Sequence, residues 1–518
     1  MAEPLSRALR ASVHVTEFGV KGDAGLVAQL ARGEGGADSD HLPHVDSEVL
    51  LTDPAVPFGE LRLGTHPRDP ALVTVPSPAG PVSTPLIDLL KHQPHLAGSR
   101  RVLPPGDALP FVLKVLSAAR PTPLRVRPGS ASPRAAHVRA HLDPYALPTD
   151  DLELVVAVEP CVLLRGFAPA AVICARFGES AEVFALPGCA ERLAALDAAA
   201  TAEADTAAAA AAAHRGPARG GAADVVEALR DLSRAILTAP AAALEAALMQ
   251  LSARVAATAD GMAPRHERIC AALHALHSGD GACVAAAFLL RAEELVPGDA
   301  VGISPGEPWC LLAGSALCCA PRCDDEARAG LTDQSRDIAT FCALLRASPP
   351  GAALLAPARV APHMLVFSSR ARARADAGDS SSAGTRAGGS TQCSLSRCAL
   401  PPGAECVLPA VDAPALVLVV SGSGAIDECA HAPFSPRVHR TAAPGLALFV
   451  PAGTDVRLAA SAAARTCAAP AETASDASTW ARILRGDAAG AAVAHAPLGP
   501  SGSFLAFHAV GDVLSVWS

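Results

Sequence analysis

Aromatic side chains are scarce: 3% of 518 residues, with one Tyr and three Trp. Ala is abundant throughout, a skew that fits a coding bias towards Ala, Arg, Gly and Pro, so the shortage of rings carries no functional meaning by itself. No run of about 18 uninterrupted apolar residues occurs, which argues against a membrane-spanning helix. No Cys-x-x-Cys pair is present, and the fifteen cysteines are odd in number. In a chain this long, that pattern reads as reduced thiols rather than a disulfide framework. Basic residues are dispersed and the net charge is −9, so no nucleic-acid or membrane footprint is expected. The segment Met1-Ala-Glu-Pro-Leu-Ser-Arg7 lacks an apolar core followed by a cleavage site. The expected location is cytoplasmic.

Half the residues are hydrophobic, ample for packed cores, and the length calls for two or three domains. Three textures separate. Up to about residue 186, short apolar runs such as Val155–Val158 and Ala171–Cys174 alternate with Pro and Gly, which suggests strands. A helix is expected at Pro85–Leu90, with Gly98 as a stop. From 187 to 280, Leu229, Leu232, Ile236 and Leu237, then Leu244, Leu248 and Leu251, recur at helical spacing beside a poly-Ala run over 207–213. Strand texture returns at Cys283 and runs to Ser315–Pro321, followed by a helix near 336–346. Residues 370–392, including Arg370-Ala-Arg-Ala-Arg374, are Ser-, Gly- and Arg-rich and read as a flexible solvated loop. Strands are expected again at Cys406–Leu408, Ala415–Val420 and Ala447–Val450.

An internal echo points to repeated jelly rolls. Gly445 leads to Pro451-Ala-Gly-Thr-Asp-Val456, and Pro297-Gly-Asp-Ala-Val301 leads to Pro305-Gly-Glu-Pro-Trp309. Both resemble the second cupin motif, a Gly turn, a strand and a turn presenting a metal-binding His. Val456 and Trp309 stand at the His positions. The expected fold is mainly β, a double cupin jelly roll with a helical insert. Its parts would be a first, catalytic-type roll from 1–186 and 281–369, a helical insert at 187–280, the loop at 370–392, and a second roll at 393–518.

Five segments in order resemble type I mannose-6-phosphate isomerases. Phe58-Gly-Glu-Leu-Arg-Leu-Gly-Thr-His-Pro67 looks like the family's "E-x-W-x-G-T-H-P", and Leu109-Pro-Phe-Val-Leu-Lys-Val-Leu-Ser117 is close to "LPFLFKVLS". The stretch from Glu153 to Phe167 parallels "EMAIAL-x-PFE-x-LCGF", Glu307–Gly314 parallels "EPHAYLSG", and Asp324–Thr332 parallels "SDN-x-x-RAGLTPK" from its Asp onward. The resemblance implies a cupin enzyme that interconverts mannose 6-phosphate and fructose 6-phosphate and supplies GDP-mannose metabolism. It also implies one zinc held by Gln and His of "Q-x-H-P", the Glu of "EMAIAL" and the His of "EPHAY". Zinc suits such ligands, and as a Lewis acid it would polarise the sugar carbonyl while a base moves the proton.

Carried over residue by residue, that set is largely replaced. "Q-x-H-P" becomes Arg125-Val-Arg127-Pro128, the last His becomes Trp309, and only Glu153 remains at a metal-ligand position. A guanidinium stays protonated and cannot coordinate a cation. Gln334 replaces the Lys of "RAGLTPK", Gly129-Ser130 replaces "DK", and Cys318 stands where the family has an acidic residue. Arg328, the family's residue near the reacting sugar, is retained, with Lys114 and Asp324. The Thr65-His66-Pro67 turn is expected to be structural.

Arg125 and Arg127 lie two apart on an expected strand and would face the barrel mouth together. With Arg328 they form either a phosphate-gripping pocket or the remnant of one, its arginines paired with Glu153 and solvent, and the second reading weighs more. Cys310, Cys318, Cys319 and Cys323 are better read as buried core residues than as a thiolate site. His66, His137, His141 and His266 carry no catalytic motif. Two functions stay open. One is an isomerase acting on a sugar phosphate. The other is a metal-free relative that binds a sugar phosphate or small anion, or partners an active paralogue. The sequence leaves the oligomeric state open, monomer included.

Overall fold

The computed structural model describes residues 6–33, 53–66, 69–75, 80, 82–98, 109–130, 150–212, 221–259, 262–321, 326–346, 354–368, 393–430, 438–462, 476–485 and 503–511. Asp324, Cys323, His137, His141, Ala213 and the 370–392 segment lie outside them.

Runs of apolar residues buried on both faces, such as Phe111–Ala118 and Glu153–Ala157, form the middle of a ten-stranded antiparallel sheet. Its longest strand, Trp309–Pro321, pairs along its length with Phe111–Ala118, Leu124–Val126, Glu153–Ala157 and Cys161–Phe167. The sheet curls round an interior of Leu116, Val155, Leu163, Val301, Trp309, Leu311 and Cys318. This is the first jelly roll. The second is a nine-stranded sheet facing a four-stranded one over a core that includes Val417, Ile426, Leu448, Leu458 and Phe504. A third core, with Phe58, Leu113, Leu154, Leu317, Leu416, Phe449 and Phe507, joins the two rolls face to face.

The fold is the double cupin jelly roll expected, but strands from the first part of the chain join the sheet of the second roll. Arg7–Arg10, Leu72–Val75 and Val82–Pro85, assigned by chain order to the first roll, extend the nine-stranded sheet through the pairing of Arg7 with Phe449. Ala358–Ala361 and Met364–Ser368 join the same sheet through Cys393–Leu400. Chain order is a weak guide here because antiparallel edges accept any strand whose apolar face matches.

Two strand expectations are corrected. Ala171–Cys174 lies within a helix, Ala170–Glu179, whose Ile173 and Phe177 are buried one turn apart. Cys283 is likewise in a short helix, Gly281–Val284, continued by a π-turn at Ala285–Leu289 before the strand Leu290–Leu295 begins. A short apolar run fits a helix and a strand equally well, so only its packing decides. Further helices span Cys189–Ala212, Gly221–Leu237, Ala241–Ala257 and Arg265–Leu276. Their apolar faces share a core with the outer side of the first roll through Leu124, Val162, Cys310 and Leu312. The helix Leu86–His92 ends in a 3-10 turn closed by Gly98 at φ 98°. No single helix among the described residues is long and apolar enough to cross a membrane.

Candidate functional site

The register of five neighbouring strands places one row of residues across the first roll. Arg328 lies opposite Arg125, Arg125 opposite Trp309, Trp309 opposite Arg165, and Arg165 opposite Arg291. Directly opposed residues in antiparallel strands project on the same side, so four guanidinium groups and one indole line up over the barrel.

Trp309 is 2% exposed, and the Arg125 guanidinium stacks over its ring at 4.2 Å. Arg125 Nη1 donates to Glu326 Oε2 at 3.1 Å. Burial works against its charge, but Glu326, Glu153 and Glu60 outweigh it and push the guanidinium further towards the protonated form. Arg127 falls just past the strand Leu124–Val126. Its Nη2 donates to the Asp151 carbonyl at 2.5 Å, and its own carbonyl accepts from the Gly306 amide at 2.8 Å. The two arginines therefore do not share strand geometry, and Arg125 takes its ion pair from Glu326 rather than Glu153. Gly306 has φ +83°, and a Cβ there would meet the Leu344 carbonyl at 2.8 Å. The turn before Trp309 thus requires glycine.

Glu153 is 2% exposed. Burial raises its carboxyl above the usual range, Arg125, Lys114 and Arg127 pull it down, and Glu326 adds to the rise. Its Oε1 has no hydrogen-bond partner among the described residues. Lys114 and Cys318 are opposed in register, and Arg62 is opposed to Lys114. Lys114 Nζ lies 3.6 Å from Glu60 Oε1, and Arg62 Nε lies 2.9 Å from the same atom. Burial would raise Glu60, but Lys114, Arg62 and Arg125 together hold its carboxyl well below the usual range. The Cys318 thiol is driven well above its usual range by burial and then by Glu153.

The structure thus brings Arg125, Arg127, Glu153, Lys114, Trp309 and Cys318 to one end of the barrel interior, with Arg328 half-buried beside them on Ala327–Gly330. Just past that strand stands Leu331, a non-Gly residue at φ 57° whose amide donates to Asp280 Oδ2 at 2.8 Å. Gln334 is exposed beyond it, its amide donating to Thr332 Oγ1. Glu60, Arg62 and Glu326 were not singled out from the sequence. The spacing of two between Glu60 and Arg62 in a strand otherwise apolar was the signal available. The Thr65–His66 turn is structural, with Thr65 Oγ1 accepting from the Leu109 amide at 2.8 Å.

The match to known proteins follows the barrel. The model of "Phosphomannose isomerase type I, catalytic domain" matches residues 25–170. Mannose-6-phosphate isomerase 1 of Arabidopsis thaliana is 26% identical over 456 residues, 88% of this chain and 91% of the relative. Over most of its length the chain is similar to mannose-6-phosphate isomerases. The human mannose-6-phosphate isomerase is 26% identical over 354 residues, 67% of this chain and 75% of that protein. A crystal structure of the apo mannose 6-phosphate isomerase of Salmonella typhimurium shares the fold, with a TM-score of 0.57 and 18% identity, covering 89% of this chain and all of that one. A mannose 6-phosphate isomerase bound with zinc and yttrium aligns with a TM-score of 0.58 and 19% identity, over 88% of this chain and all of that one.

The family resemblance implies a zinc at the Arg125 end of the barrel. The residues there do not fit one. Zinc needs about three protein donors from Cys, His, Asp or Glu, and no group of three that could hold a metal occurs among the described residues. Arg125 is protonated, Arg127 is bonded to a carbonyl, Trp309 has no lone pair to give, and Glu60 is engaged by Lys114 and Arg62.

Proposed function

We propose that this chain is a metal-free member of the isomerase family, working in the cytoplasm as a binder of a sugar phosphate or similar small anion and not as an isomerase. The observation that carries this reading is the stack of Arg125 on Trp309, with Glu326 closing the pair. Two positions that would supply zinc ligands by family resemblance are used to hold each other. With those positions taken, the described residues leave no place for the Lewis acid that the family resemblance implies. What remains is recognition, by Arg125, Arg127, Arg328 and Lys114, of an anion such as mannose 6-phosphate or fructose 6-phosphate.

A second reading, an active isomerase, draws on the retained Lys114, Glu153 and Arg328 and on relatives named mannose-6-phosphate isomerase over 88% of the chain. Metal analysis of the purified protein beside a mannose-6-phosphate isomerase assay separates the two. The expected result is zinc well below one per chain and no turnover. One zinc per chain, with turnover abolished by a chelator, would establish the second reading.

A further inference from the structure

At the other end of the arginine row, by the sheet's edge, a cleft of about 330 Å³ opens between the helices Ala170–Glu179 and Arg265–Leu276 and the edge strand Leu290–Leu295. Its charged lining is Arg176, Arg265, His266, Arg291 and Glu293. Three guanidinium groups thus face one carboxylate, and that carboxylate already accepts from Arg165 Nε at 2.8 Å.

Arg176 is held by backbone carbonyls, and the carboxylate pairs of Arg265 and Arg291 are long. Arg176 Nη1 donates to the carbonyls of Ala287, Phe288 and Leu290 at 3.4, 2.9 and 2.9 Å, and no ion pair to it occurs among the described residues. Burial and the like charge of Arg265 both work against its protonation. Arg265 reaches Glu294 only at 3.6 Å. Arg291 lies 3.8 Å from Glu307, a carboxylate that Arg165 holds at 3.3 Å.

Two further features point to a ligand. His266 is 6% exposed, and its Nε2 has no hydrogen-bond partner among the described residues. Leaving such a group unsatisfied is unfavourable. The twelve-residue helix that carries Arg265 and His266 begins after Pro264 with no side-chain cap. Its first turn also carries the buried Glu267 carboxylate, which Arg254 engages at 2.7 and 2.8 Å, so the Arg265 and His266 amides are what this end offers an anion.

We propose that this cleft is a second anion site, separate from the barrel mouth, that binds a phosphate group, free or as a small phosphomonoester. A phosphate offers enough charge and acceptor oxygens for three guanidinium groups at once, and its own hydroxyl can donate to the His266 Nε2, whereas a carboxylate offers two oxygens. The volume lies at the small end of ligand pockets, enough for phosphate with a short ester.

Calorimetric titration of the full chain with inorganic phosphate, in a low-salt buffer without other oxyanions, tests this. The wild type is expected to show a saturable phosphate site that Arg265→Glu weakens about tenfold, the loss expected for one charged hydrogen-bonding partner. That site should weaken with added chloride and persist in Arg328→Gln, which alters the barrel mouth. Arg234→Glu, the same charge change at an exposed helical position away from the cleft, should leave it unchanged. Circular dichroism and melting of each variant confirm folding. A second titration with mannose 6-phosphate distinguishes the ligand sources: tighter binding than phosphate, lost in Arg265→Glu, identifies an ester, and equal binding identifies free phosphate. No saturable site, equal binding in wild type and Arg265→Glu, or loss in Arg328→Gln instead would overturn the proposal.

Discussion

Replacing Arg125 by Gln tests whether the barrel site is held by the interactions assigned to it. In the wild type the Arg125 and Glu326 side chains are each about 10% exposed and 3.1 Å apart, and the guanidinium lies 4.2 Å from the Trp309 ring. Removing one partner of a buried pair costs about 3–5 kcal/mol, and a desolvated cation–π contact about 1–2 kcal/mol. A Gln amide that still donates to Glu326 recovers part, leaving a net loss of about 3–4 kcal/mol. At roughly 2–4 °C per kcal/mol for a unit of 150–250 residues, the melting temperature should fall by about 6–16 °C. Arg125 is also the strongest influence holding the Glu153 carboxyl down, so its loss drives Glu153 further up. Adding Arg127→His and Trp309→His creates the donor set that the wild type lacks. Zinc at about 100 times its dissociation constant should then stabilise the triple variant by about 2.7 kcal/mol. This uptake should rise with pH because Glu153 must lose its proton to ligate. Wild type should melt at the same temperature with zinc or with a chelator. The assay is differential scanning fluorimetry with metal quantified by mass spectrometry. A wild type stabilised by zinc, or an Arg125→Gln variant melting within about 2 °C of wild type, refutes the reasoning, since it implies under about 1 kcal/mol of interaction.

Arg165 is fully buried between Glu293 and Glu307, so Arg165→Met should cost about 3–5 kcal/mol by chemical denaturation, and Arg165→Met with Glu307→Gln should recover much of it. Stability should also fall as pH drops from about 6.5 to about 4. The folded protein holds His266 near 4 through burial and then Arg176, and His508 near 4 through burial. Over that window the unfolded chain takes up protons that the fold refuses. Denaturant midpoints measured across the window should show a smaller slope in His508→Phe than in wild type.

The physical reason that some of this was legible in the sequence is local. Phe111–Ala118 and Glu153–Ala157 are apolar enough to require burial on both faces, whatever surrounds them. The helix Gly221–Leu237 shows its inward face by spacing alone. The substitution of Arg125, Arg127 and Trp309 at presumed ligand positions needed only ungapped counting along matching segments. The sequence could not tell helix from strand at Ala171–Cys174 or Cys283, because uninterrupted apolar runs carry no period. Nor could it reveal that Arg7–Arg10 and Met364–Ser368 complete the second roll, since edge pairing depends on which apolar face is left uncovered elsewhere. Tertiary structure alone decided that Arg125 pairs with Glu326, 201 residues away. It also placed Arg328, Arg125, Trp309, Arg165 and Arg291 in one row. Register between strands is set by the packing of whole sheets, and no separation along the chain encodes it.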